Sequence, residues 1–186
     1  MAEAVIFDCD GVLVDSEPSA NAVLTALIRD LGLETTPEET MAAYMGRSWA
    51  SCMGILERRL GVPPPADLHD RYRAAVEEVW RRELRPVPGI VAALDAIDLP
   101  ACVASSGEHE RMRLTLGLTG LLPRFEGRIF SATEVARGKP APDLFLHAAA
   151  RMGFEPARLA PAGALADAGG EVFDDMASLP ELLAAG

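Results

Sequence analysis

Ala4-Val5-Ile6-Phe7-Asp8-Cys9-Asp10-Gly11-Val12-Leu13-Val14-Asp15-Ser16-Glu17 lies close to the start of the chain and begins with four apolar residues that run into an acid. An apolar run this short, closed by a charge, is the pattern of a strand buried on both faces, in the middle of a parallel sheet. Gly11 allows a sharp turn directly after it. Two carboxylates at i and i+2, just beyond such a strand, can meet at one site, one as nucleophile and the other as acid and base. A bare Asp-x-Asp would be no more than a solvated turn, so the remainder of the chain has to decide.

Working outward, Pro18 stands where the first turn of a helix tolerates proline, and Ala22, Val23, Ala26 and Leu27 follow at helical spacing up to Gly32. Residues 18–85 are predicted almost wholly helical, with Ser48 capping a helix that runs to Leu60 before Gly61, and a further helix over 67–84. Pro86-Val87-Pro88-Gly89 breaks the pattern. The style then alternates: helix over 90–97, strand over 101–105, helix over 108–116, strand over 128–131, helix over 143–152. Alternating strand and helix predicts an α/β fold, a doubly wound parallel sheet, and the helical block interrupts it after the first strand. The expected domains are therefore a core of residues 1–16 and 87–186 and an inserted all-helical cap of residues 17–86. Ligands of such sheets lie at the carboxyl ends of the strands, where both Asp8 and Ser105 are expected.

The 186 residues are 49% hydrophobic, enough for a buried core. The formal net charge of −11 repels nucleic acid and anionic membrane, so neither is expected as a partner. Arginine supplies all but one of the basic side chains; the exception is Lys139. Cys9, Cys52 and Cys102 are odd in number and lack metal or redox spacing, which fits a reducing cytoplasm. The N-terminus has no basic region or long apolar run of the signal-peptide kind. The expected state is a cytoplasmic monomer or weak dimer.

Asp8-x-Asp10-Gly11-x-Leu13-x-Asp15-Ser16-Glu17 closely resembles the first motif of the haloacid dehalogenase superfamily. Ser105 ends an apolar strand as the second motif does, and Lys139-Pro140-x-Pro142-Asp143 resembles the third. Order and spacing both fit, from about residue 4 to 158. The resemblance is to subfamily I, with a helical cap, the phosphatase and beta-phosphoglucomutase-like group. It implies a Rossmann-like core and Mg²⁺-dependent hydrolysis of a small phosphomonoester, for instance a sugar phosphate. Asp8 would attack phosphorus to give a phosphoaspartate. Asp10 would protonate the leaving alcohol and then take a proton from the hydrolytic water. Asp8 and the Asp10 main-chain carbonyl would face the metal. Ser105 would donate to a phosphoryl oxygen, and Lys139 would neutralise charge between Asp8 and the phosphoryl group. Fixed cations are needed there because an anionic nucleophile must approach an anionic ester.

Within the superfamily, an acid at position 10 favours phosphate esters over dehalogenation, and a cap without lysine disfavours phosphonatase chemistry. A phosphomutase shares every core motif and remains the alternative, together with a metal-deficient binder of phosphorylated metabolites. Arg47, in Gly46-Arg47-Ser48 before a helix, is either a cap arginine that binds a substrate anion or a solvated arginine. Ser105 could cap the helix after it, with Ser106 the better cap if Ser105 faces substrate. Cys9 is taken as core filler and His69 and His147 as surface helix positions; His109, near the start of a helix, either touches substrate or, the better reading, is a solvated helix residue. The fourth motif of the family, a buried strand ending in paired acids, is the exception. Val172-Phe173-Asp174-Asp175 has the letters, yet Met176-Ala177-Ser178-Leu179-Pro180 after it suits a closing strand and helix better. A βαβ-sized unit of roughly 30 residues is thus expected to be missing near Ala160 to Gly163, with Asp174 and Asp175 as metal ligands the alternative.

Overall fold

The structure, a computed structural model, describes residues 4–154. Along the chain run β1 (Val5–Phe7), α1 (Glu17–Asp30), α2 (Pro37–Tyr44), α3 (Trp49–Leu60), α4 (Leu68–Glu83), α5 (Ile90–Ala96), β2 (Ala101–Ser105), α6 (His109–Leu118), α7 (Leu122–Phe125), β3 (Ile129–Ser131) and α8 (Asp143–Met152). The chain divides into two compact units, Ser16–Leu84 and the rest. The expected fourth-motif candidates, Asp174 and Asp175, and the suspected gap near Ala160 to Gly163 lie outside the described residues.

The unit that carries β1 is the α/β core. Among the described residues its strands run parallel in the order β1-β2-β3, with Phe7 opposite Val103 and Ser105 opposite Ser131. Parallel neighbours need helical crossovers, and α6 with α7 supplies the one between β2 and β3. Cys102 and Ala104 of β2, Phe130 of β3, and Leu144 and Ala148 of α8 bury one another in a single cluster. β2 ends where the apolar run Ala101-Cys102-Val103-Ala104 gives way to Ser105, and α8 begins directly after Pro142, as the sequence predicts. The chain leaves and re-enters this core side by side. Asp15 N–H donates to Arg85 O at 3.0 Å, and Val87 N–H donates to Leu13 O at 3.1 Å.

The second unit is all-helical. Leu24, Leu27 and Ile28 of α1 pack with Tyr44 of α2, Cys52 and Leu56 of α3, and Leu68 of α4. The Trp80 indole N–H donates to Ser19 Oγ at 3.0 Å and joins α4 to α1. Ser48 caps α3 through Ser51 N–H at 3.2 Å, and Gly61 closes it. Helix α2 was not delimited by hydrophobic spacing. Its boundary is set by a capping box, Thr36 and Glu39 each accepting from the other's N–H. The parallel α/β core with an inserted all-helical unit is the fold class the sequence pattern predicts. Among the described residues no helix is long and apolar enough to cross a membrane.

Leu144 and Leu56 are fully buried in the two units. Leu144→Ala and Leu56→Ala are each expected to lower unfolding stability by about 2–5 kcal/mol, and Ser48→Ala by about 1 kcal/mol, measured by urea unfolding.

Candidate active site

Asp8 is the first residue past β1, and its Oδ1 accepts from Cys9 N–H at 2.7 Å. Gly11, at φ +73°, reverses the chain at once, and the turn is closed by Leu13 N–H to Cys9 O at 2.9 Å and Gly11 N–H to Val14 O at 2.9 Å. Both acids therefore stand at the carboxyl end of a strand on a short braced loop. Lys139 comes to the same edge from the segment between β3 and α8. Its Nζ lies 2.7 Å from Asp8 Oδ2 and 5.2 Å from the centre of the Phe145 ring. The Asp8 side chain is 38% exposed, so this pair remains open to a ligand.

Ser105 ends β2 and is 2% exposed, with Oγ accepting from Gly107 N–H at 3.3 Å. A Cβ on Gly107 would lie 3.8 Å from Ser105 Oγ and 3.9 Å from Asp10 Oδ2, which puts these two sequence-predicted groups around one glycine. Neither Ser105 nor Ser106 caps α6. Glu108 occupies the cap position, with no side-chain cap hydrogen bond to the helix. Arg47 is exposed in the helical unit, before α3, with its N–H donating to Tyr44 O at 3.3 Å.

Two residues at this edge escaped sequence analysis. Arg111 of α6 puts Nη2 3.2 Å from Asp10 Oδ1, so each aspartate has its own cation. In sequence it is one helix arginine among many, and only the fold pairs it. Ser131 ends β3 beside Ser105 and donates from Oγ to Gly107 O at 2.7 Å. The signal that marked Ser105, a polar residue closing an apolar strand, marks Ser131 equally.

Asp8 and Asp10 are hard oxygen donors. Among the described residues no group of three carboxylate, imidazole or thiol side chains could hold a metal ion. A small hard dication commonly takes only one or two protein carboxylates, with water and phosphate oxygens completing its shell. The Asp8 carboxylate, with the main-chain carbonyl of Asp10, would be the protein's share of such a site.

The haloacid dehalogenase-like hydrolase family matches residues 2–160. The chain belongs to that family. Among its haloacid dehalogenase-like relatives, a 6-phosphogluconate phosphatase of Escherichia coli K12 is 34% identical over 151 residues, 81% of this chain and 68% of that one. A haloacid dehalogenase-like protein of unknown function from Agrobacterium tumefaciens superposes with a TM-score of 0.84 at 30% identity, covering 100% of this chain and 99% of its own. A haloacid dehalogenase family hydrolase of Deinococcus radiodurans, solved with bound phosphate and sodium, gives a TM-score of 0.66 at 29% identity, over 82% of this chain and 68% of its own.

Cys9, between the two acids, is fully buried. Burial above all, and then the Asp10 charge, pushes its thiol from 9.0 up to about 12, so it is no thiolate nucleophile at neutral pH. An unfolded chain loses this proton near 9.0 and the folded chain near 12. The stabilisation is complete below pH 9 and is lost as pH rises toward 12. Urea unfolding should show stability declining across that window, at up to about 1.4 kcal/mol per pH unit for one thiol, with a shallower slope in Cys9→Ala. An identical slope in that variant would clear Cys9 of the effect.

Proposed function

We propose that this hydrolase cleaves a small phosphomonoester, a sugar-type phosphate being the substrate class, through a phosphoaspartate on Asp8. The observation that carries the proposal is the Lys139 ammonium 2.7 Å from the Asp8 carboxylate, at the carboxyl end of a parallel sheet. A cation fixed against an exposed carboxylate suits an acid that must meet a phosphate. The likeness to a 6-phosphogluconate phosphatase supports the substrate class.

In the first half-reaction an Asp8 carboxylate oxygen bonds to phosphorus, the ester P–O bond breaks, and Asp10 gives its proton to the departing alkoxide. In the second, water attacks the phosphoaspartate while Asp10 takes back a proton; inorganic phosphate leaves and Asp8 is restored. Ser105 Oγ–H donates to a phosphoryl oxygen. Lys139 offsets the charge between nucleophile and ester, and Arg111 holds Asp10 in place. Asp8 and Asp10 would hold Mg²⁺, which supplies further charge neutralisation when bound.

Hydrolysis of an aryl phosphate with Mg²⁺ and with excess EDTA tests the reaction class, and a panel of sugar phosphates and sugar-acid phosphates tests the substrate. Asp8→Asn is expected to fall to background with the fold intact, since an amide cannot form the acyl phosphate. Asp10→Asn should lose about 10²–10⁴-fold. Persistent turnover in Asp8→Asn would remove it as nucleophile.

Lys139→Ala should lose most activity. Lys139→Arg should not restore it, because a planar fork does not replace a compact ammonium. A fully active Lys139→Arg enzyme would mean that only diffuse positive charge is needed.

A further inference from the structure

Glu134 lies at the end of a short 3-10 helix, Ala132–Glu134, directly after β3. Its carboxylate gathers donors from three parts of the core. Ser131 N–H donates to Oε1 at 2.6 Å, His109 Nε2 of α6 lies 2.8 Å from Oε1, and His147 Nε2 of α8 lies 3.1 Å from Oε2. Burial works against its charge. The Ser131 N–H, His147 and His109 outweigh it and leave the carboxyl below its ordinary range. An ionised carboxylate only accepts, so both imidazoles present an Nε2–H to it.

From Glu134 the chain runs directly into the loop that carries Lys139. That loop is closed across its neck by Arg137, which donates from Nε and Nη2 to both Asp143 oxygens at 3.0 and 2.8 Å. It packs so closely on the 3-10 helix that a Cβ on Gly138 would stand 3.2 Å from Ala132 Cβ. The entry is fixed by Glu134 and the exit by the start of α8. The Lys139 ammonium is held against Asp8 at 2.7 Å and its backbone belongs to this loop, so the loop sets the anchor point from which the side chain reaches the carboxylate. Ser131, whose N–H Glu134 accepts, also binds Gly107 O beside Ser105.

We propose that Glu134 is a positioning residue: the His109–Glu134–His147 clamp fixes the loop that presents Lys139 to Asp8. Its consequence for turnover rests on the phosphatase function proposed for Asp8 and Lys139. A misplacement of about 1 Å at a reacting centre can cost on the order of 10²-fold in rate.

Lys139 is the only lysine in the chain, so NMR of protein grown on isotope-labelled lysine reports its side chain alone. In Glu134→Gln the Lys139 resonances are expected to shift from their parent positions while far-UV circular dichroism stays the same. The kcat on an aryl phosphate should fall about tenfold or more, with a smaller change in KM. His147→Gln removes one arm, keeps the Ser131 and His109 contacts, and should move the same signals less; it carries the test if Glu134→Gln does not fold. Lys139 resonances that superimpose on the parent's in every folded variant overturn the inference, whatever the rates. Resonances that shift in an enzyme whose Asp8→Asn form still turns over would refute the phosphatase proposal and leave the clamp's hold on Lys139 supported.

Discussion

Like charge is the constraint around which the core is arranged. A carboxylate that is to approach a phosphate ester meets repulsion that water alone does not remove, and a chain with a net charge of −11 offers few places where the local balance is otherwise. At the carboxyl edge of this sheet the balance is local: Asp8 faces Lys139 and Asp10 faces Arg111. Each cation comes from a different segment, Lys139 from the loop between β3 and α8 and Arg111 from α6 after β2. The parallel order β1-β2-β3 brings both segments to the edge where β1 delivers its acids.

The parts of this arrangement differ in how legible they are from sequence. β2 and α8 could be delimited because local signals coincide there: an apolar run with an abrupt polar end, and a proline before an amphipathic stretch. Asp8, Asp10, Ser105 and Lys139 were found through motif order, and the structure places Lys139 on Asp8 and puts Asp10 and Ser105 around Gly107. α2 lies within the stretch read as helical but was not delimited, because its apolar spacing is poor and its start is marked by the reciprocal capping of Thr36 and Glu39.

Pairings between distant segments were not legible. His109 and His147 look like solvated helix residues, since each is partly exposed and neither belongs to a motif. They acquire a common partner only when α6 and α8 flank the end of β3. Arg111 was invisible for the same reason. A guanidinium on a helix has no sequence neighbour to announce that it will lie against an acid about a hundred residues earlier. Local chemistry writes elements and motifs into the chain, while the second tier of a site, which orients the first, is written in the topology.

The paired crossing at Asp15 and Arg85 has its own consequence. Outgoing and incoming chain are hydrogen-bonded to each other at 3.0 Å, next to the bridge between Val14 and Pro86. The ends of the inserted helices are therefore held together by the core, whatever their length or sequence. Such a junction works as a socket. Insertions are best tolerated where the ends already meet and no ladder has to be broken. Evolution, or an engineer, can exchange the segment between these two residues as a cassette while the strand register that holds the acids stays as it is.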